Sequence, residues 1–200
     1  MSILAAFMVP HPPMIVPQVG KGSERQVRKT TEAYEQVAAE IAELQPDTII
    51  LTSPHTVMYS DYFHISPGKG ARGSFADFRA GEVRFDEVYD SELVGRLEAL
   101  AQERGISAGT LGERDRRLDH GTMVPLYFIR KHYTGGRLVR MLELLDFGAV
   151  PVNEPEKVRC LWQCHAVCLL PDCNAVSQRL WTMVTWNSLP SGRVMTSPLL

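Results

Sequence analysis

Two histidines follow short apolar runs and sit among prolines, in Val9-Pro10-His11-Pro12-Pro13 and in Thr52-Ser53-Pro54-His55-Thr56. Imidazole binds iron, zinc, manganese and copper readily, and two imidazoles with open positions beside them can found a redox or Lewis-acid centre. A single histidine beside prolines is more often a loop residue satisfied by backbone hydrogen bonds. Two in equivalent topological places point instead to one shared ion. A third histidine stands in Leu118-Asp119-His120-Gly121-Thr122. A carboxylate next to it raises an imidazole's pKa, and glycine lets backbone or substrate come close, so His120 suits acid/base work near neutral pH. The plainer reading is that Asp119 caps the following helix and leaves His120 exposed. His64, His132 and His165 have no comparable setting.

The elements around these residues must bring them together. Ile3 to Met8 and Thr48 to Leu51 have the length and apolar character of buried strands, ended by Pro10 and Pro54. Between them, Ser23 and Gln26 have capping-box spacing. Val27, Thr30, Tyr34, Val37, Ala38, Ile41 and Leu44 then recur at helical intervals until Pro46. A strand-helix-strand unit of this kind pairs its strands in parallel, with neighbours ~4.8 Å apart, which puts His11 and His55 on one sheet edge.

Ser66 to Gly81 is rich in glycine and small polar residues and reads as an exposed loop bordering a pocket. A second helix begins after Asp90 and Ser91, carries Leu93, Val94, Leu97, Leu100 and Ala101, and stops at Gly105, with a short strand opening at Ile106. The apolar stretch Met123 to Ile129 reads as a helix with Pro125 in its first turn; Gly135-Gly136 breaks it, and Arg137 to Met141 forms the next strand. Strands alternating with helices predict an α/β chain, a three-layer α/β/α fold on a central, mostly parallel sheet, with its site at the carboxyl ends of the strands.

Bulk properties narrow the function. Two hundred residues, 44% hydrophobic and 22% charged, describe an ordinary globular chain. A net charge of -2 and a pI near 6.3 argue against nucleic acid or an anionic membrane as partner. The first residues have neither the charge of a signal peptide nor the apolar length of a membrane span, so a cytoplasmic protein is expected. Cys160, Cys164, Cys168 and Cys173 fall within fourteen residues, which is no disulfide framework. On a helix three of these thiols would share a face and could bind a soft metal, against the plainer reading of incidental cysteines.

Taken in order and at these separations, His11-Pro12-Pro13, Ser53-Pro54-His55-Thr56 and Leu118 to Leu126 resemble the class III extradiol ring-cleavage dioxygenases, the family of the protocatechuate 4,5-dioxygenase catalytic subunit. Within it, Pro67 to Asp90 resembles the subunit-B-like branch that includes Memo proteins and the AmmeMemoRadiSam system protein B. The resemblance implies Fe(II), or zinc in its place, held by His11 and His55. It implies a small catechol-like aromatic and O2 as substrates, His120 exchanging protons with the substrate, and Asp119 orienting the His120 ring. A Memo-like metal-binding or scaffold protein without ring cleavage is the alternative, and a catalytically dead fragment is a third. Association of the chain with copies of itself stays open.

The resemblance stops near residue 140. Family members carry a later Gly-Asp-Leu-Ser-His-like segment and a glutamate farther on as third metal ligand, and neither is found here. All four cysteines and all three tryptophans (Trp162, Trp181, Trp186) lie beyond that point. Residues 1–140 are therefore expected to form the family domain and 141–200 an atypical tail, the product of a shifted reading frame and early termination.

Overall fold

The computed structural model describes residues 3–53, 55, 62–113 and 115–142, with the backbone of 164–170 and 194–195. Its centre is a sheet of five strands. They are β1 (Ala5–Pro10), β2 (Thr48–Ser53), β7 (Arg137–Leu142), β8 (Cys164–Leu170) and β9 (Val194–Met195), in the order β7-β2-β8-β1-β9. β2 pairs with β7, and β1 with β9, in parallel; β8 alone runs against the others, between β1 and β2.

Two expectations change here. β1 and β2 point the same way but are not neighbours, so their axes lie two strand spacings apart, roughly 9.6 Å. Cys164 and Cys168 lie on a strand, so no helix groups the thiols on one face. Cys160 and Cys173 lie outside the described residues.

Both faces of the sheet are covered, and the alternation along β2 shows it. Ile49 and Leu51 belong to one apolar cluster, with Tyr34, Ala38 and Ile41 of α2 (Arg28–Leu44) and Phe128 and Ile129 of α4 (His120–His132). Ile50 turns the other way, into a cluster with Val139 and with Leu93, Val94 and Leu97 of α3 (Ser91–Glu103). Period-2 alternation with apolar residues on both sides is what a strand between two helical layers requires, so the α/β/α expectation is met.

Local corrections follow from capping and turn chemistry. α2 begins at Arg28, after a 3-10 segment at Ser23–Val27, and neither Ser23 nor Gln26 caps it. Its end is as expected: Gln45 adopts the left-handed region and its N–H returns to the Ile41 carbonyl, one residue before Pro46. A short helix α1 (Pro17–Gly20) precedes both.

Residues 66–81 are not simply a loop. β4 (Gly70–Phe75) and β5 (Ala80–Val88) form an antiparallel hairpin with an irregularity between Ser74 and Phe75. The glycines concealed the strand pattern while serving close approach. A Cβ on Gly70 would stand 2.1 Å from the Glu87 carbonyl oxygen. β3 (Phe63–His64) and β6 (Ala108–Gly109) make a further small parallel pair. Pro125 is the sixth residue of α4, not part of its first turn.

Candidate metal centre

His11 follows the last residue of β1, and its ring is buried, 7% exposed. The Tyr34 hydroxyl of α2 donates to the Pro10 carbonyl, fixing the exit from β1 just before it. His55 lies two residues past β2, and His120 is the first residue of α4. Three elements thus end at one place. His11 Nε2 lies 2.5 Å from His55 Nε2, and the ring centroids of His55 and His120 are 4.1 Å apart. One nitrogen from each ring falls within 4.8 Å of the other two. With metal–nitrogen bonds of about 2.1 Å, a single ion spans nearly that distance, so small side-chain adjustments suffice.

Three imidazoles are neutral, borderline donors, a set that fits divalent iron, zinc, manganese or copper and disfavours hard cations that demand oxygen. No carboxylate joins the group among the described residues.

Asp119, the neighbour of His120, is committed elsewhere. Its Oδ1 accepts from Ser53 Oγ at 2.7 Å and from the Thr122 N–H at 3.0 Å; its Oδ2 accepts from Thr122 Oγ1 at 3.0 Å and faces Arg140 Nη2 at 3.2 Å. Burial by itself would push this carboxyl up, but the fully buried Arg140 guanidinium and these hydrogen bonds outweigh it and hold the pKa below the usual range. The His120 ring is not among its partners.

The capping role is therefore real, and the expected elevation of the His120 pKa does not occur. Partial burial lowers it first, His55 lowers it further, and Asp119 opposes them only in part. A neutral imidazole at the mouth of the site results.

His55 and His120 open on a cavity of about 720 Å³, whose wall also includes Phe78, His64, Glu113 and Asp119, while His11 lies buried beside His55. Phe78 meets the His120 ring edge to face, with centroids 5.5 Å apart. The hairpin β4–β5 supplies the outer wall.

His64 is one wall residue that sequence reasoning passed over. It is buried, and burial followed by the charge of Arg140 keeps its pKa low. Glu113 is another; burial raises its pKa, with Arg140 and Arg116 opposing. Arg140 was missed too, although an arginine inside Leu138-Val139-Arg140-Met141 signals a buried charge that must find a partner. His132 is remote, hydrogen-bonded to Glu35 at 2.6 Å, and the side chain of His165 lies outside the described residues.

A layered α/β sheet whose strand and helix ends gather three imidazoles beside a cavity defines an α/β protein with a candidate metal-binding site. The comparisons make this specific: residues 5–161 match the family model for the catalytic LigB subunit of aromatic ring-opening dioxygenase, and the chain belongs to that family. It is 37% identical over 162 residues to protein CA_C1420 of Clostridium acetobutylicum, covering 74% of this chain and 35% of that protein. It is 29% identical over 143 residues to the 2-aminophenol 1,6-dioxygenase beta subunit of a Pseudomonas species, covering 66% of this chain and 46% of that subunit. The chain thus spans between a third and a half of the length of these relatives. Among the described residues, no helix is long and apolar enough to cross a membrane.

Proposed function

We propose that the chain carries the metal-binding half of a non-haem Fe(II) extradiol-type ring-cleavage site, acting with O2 on a small aromatic that bears adjacent hydroxyl groups or a hydroxyl beside an amine. The observation that carries this reading is the 2.5 Å approach of His11 Nε2 to His55 Nε2 from separate strands, in a chain of the ring-opening family. His11 and His55 would hold the ion. When bound, it supplies a Lewis acid and a redox partner through which the aromatic and O2 exchange electrons.

The chain's own residues do the rest. His120, neutral and at the cavity wall, would accept the proton that a substrate hydroxyl gives up on binding and return it later. Phe78 and the hairpin would flank the aromatic ring and limit water. The 2-aminophenol activity named for the Pseudomonas relative makes an aminophenol as reasonable a probe as a catechol. A cytoplasmic site of action accords with this chemistry, and no nucleic-acid or membrane partner enters it.

One observation favours a second reading. The ligand group holds three imidazoles and no carboxylate among the described residues, whereas Fe(II) oxygenases pair two histidines with a carboxylate. A Memo-like protein that binds a metal such as zinc without ring cleavage would need no more.

Anaerobic Fe(II) loading, followed by O2 uptake with catechol and with 2-aminophenol, separates the two. A ring-opened product that disappears in His11→Ala and His55→Ala variants supports the enzyme. Stoichiometric metal binding with no O2 consumption supports the binding protein.

A further inference from the structure

Asp119 touches more of the centre than the helix that it caps. Ser53, the last residue of β2, donates its hydroxyl to Asp119 Oδ1 and receives the His55 backbone N–H at 3.3 Å. The carboxylate therefore stands between the segment that carries His55 and the helix that begins with His120. Arg140 of β7, 0% exposed, fixes the other oxygen from behind.

We propose that Asp119 is a positioning residue for the metal centre. Through Ser53 it sets the place of His55, through its cap on α4 it sets the place of His120, and Arg140 keeps the carboxylate in register with the sheet. The inference rests on the metal-centre reading above, but it concerns residues that bind no metal themselves. Partners that orient ligands are typically worth 10–100-fold in metal affinity, so the link should register in binding and in the geometry of the bound ion.

The molecule contains its own control at the other end of the same two strands. Asp90, also buried, caps α3 through the Leu93 N–H at 3.1 Å, takes the Thr48 hydroxyl from the start of β2 at 2.5 Å, and pairs with Arg137 of β7 at 3.2 Å. The construction is the same, and none of the three grouped histidines is near it in the chain. A merely structural role for Ser53 predicts the same outcome at both ends; a positioning role predicts different ones.

The test is Co(II) binding to the full chain, followed by chelator competition and by the visible d–d spectrum, for wild type, Ser53→Ala and Thr48→Val. Ser53→Ala leaves the Asp119 cap on α4 intact and removes only the connection to His55. It should weaken Co(II) binding about tenfold and alter the spectrum. Combined with Asp119→Asn it should lose no more than the worse single variant, because both cut one chain of contacts. Thr48→Val should lower the melting temperature while affinity and spectrum stay at wild-type values.

If Ser53→Ala folds poorly, Ser53→Thr and Ser53→Val, alike in shape, repeat the comparison: the hydroxyl variant should keep wild-type affinity and the valine variant should not. Wild-type affinity and spectrum in the variants lacking the hydroxyl, or an equal change in Thr48→Val, would overturn the inference. Failure of the wild-type chain to bind Co(II) would overturn the metal-centre reading, and this one with it.

Discussion

Arg130 of α4 grips Glu87 of β5 at two points, Nε to Oε1 at 3.1 Å and Nη2 to Oε2 at 2.5 Å, with both side chains less than a fifth exposed. The same guanidinium donates to the carbonyls of Tyr133, Gly135 and Gly136, where α4 has ended and β7 is about to begin. One cation thus satisfies orphaned carbonyls beyond a helix end and binds the hairpin to that helix.

Glu87→Gln should remove the charge and leave the guanidinium buried without its counter-ion. Loss of one partner of a buried pair costs about 3–5 kcal/mol, and the 19% exposure of Arg130 places this case near the lower figure. Urea unfolding should show a lower midpoint with an unchanged slope. A shift below about 1 kcal/mol would assign the pair to the class of exposed, near-neutral ion pairs.

Asp90→Ala should be comparably damaging without touching the metal centre. The change removes a helix cap, worth about 1 kcal/mol, and leaves the buried Thr48 hydroxyl without its acceptor, worth about another 1–3 kcal/mol. Calorimetric melting of the apo chain and Co(II) titration of the same sample check both halves of the statement. Weakened Co(II) binding in proportion to lost stability would contradict it.

Much of this arrangement was legible in the sequence. His11, His55 and His120 were read from strand exits and a helix start, and the structure brings the three together. The strand pairing was not legible. That β8 lies between β1 and β2 depends on Cys164–Leu170, a short apolar run remote in sequence, and nothing in a strand-helix-strand pattern announces an inserted partner. The hairpin at 70–88 escaped because glycine carries no side chain from which to read alternation, although it is what lets two strands pack closely. The partners of Asp119 escaped for a different reason: Ser53 and Arg140 are ordinary strand residues until the register of β2 against β7 sets them at the same end of the sheet.

Gly73 tests whether the hairpin forms a wall of the site. A Cβ there would stand 2.7 Å from Met123 Sδ and 2.8 Å from Leu118 Cβ, so any side chain must push the hairpin away from the start of α4. Gly73→Val should cost about 1–3 kcal/mol from overpacking. Because Gly73, Phe78, Leu118 and Met123 all line the cavity, it should also weaken binding of an aromatic probe to the metal-loaded chain. Comparison of catechol binding in Gly73→Ala and Gly73→Val, which should fall progressively, measures this; equal and undiminished binding in both would show that the hairpin is not part of the wall.

Acid should destabilise the chain in two stages, and the sign follows from the direction of each shift. Burial and then Arg140 depress the pKa of His64 below 6.5, so between that value and its lower folded value the unfolded chain binds more protons than the native one. Its contribution is complete above about pH 6.5 and is lost as the pH falls below it; His120, lowered by burial and by His55, acts in the same sense. Glu35 follows at lower pH. Burial raises its pKa, but Lys131 and His132 outweigh that and bring it below 4.5, so its contribution is present above that value and lost on further acidification. Urea unfolding of the metal-free chain from neutral pH down to about pH 3 should show stability falling first through the histidine window and again through the carboxylate window. His64→Gln should shrink the first stage, leaving the share of His120, and Glu35→Gln should shrink the second, leaving the share of Asp119. A wild-type stability that rises on acidification through the first window would mean that the native chain takes up protons there, and the depressed histidines would have to be abandoned.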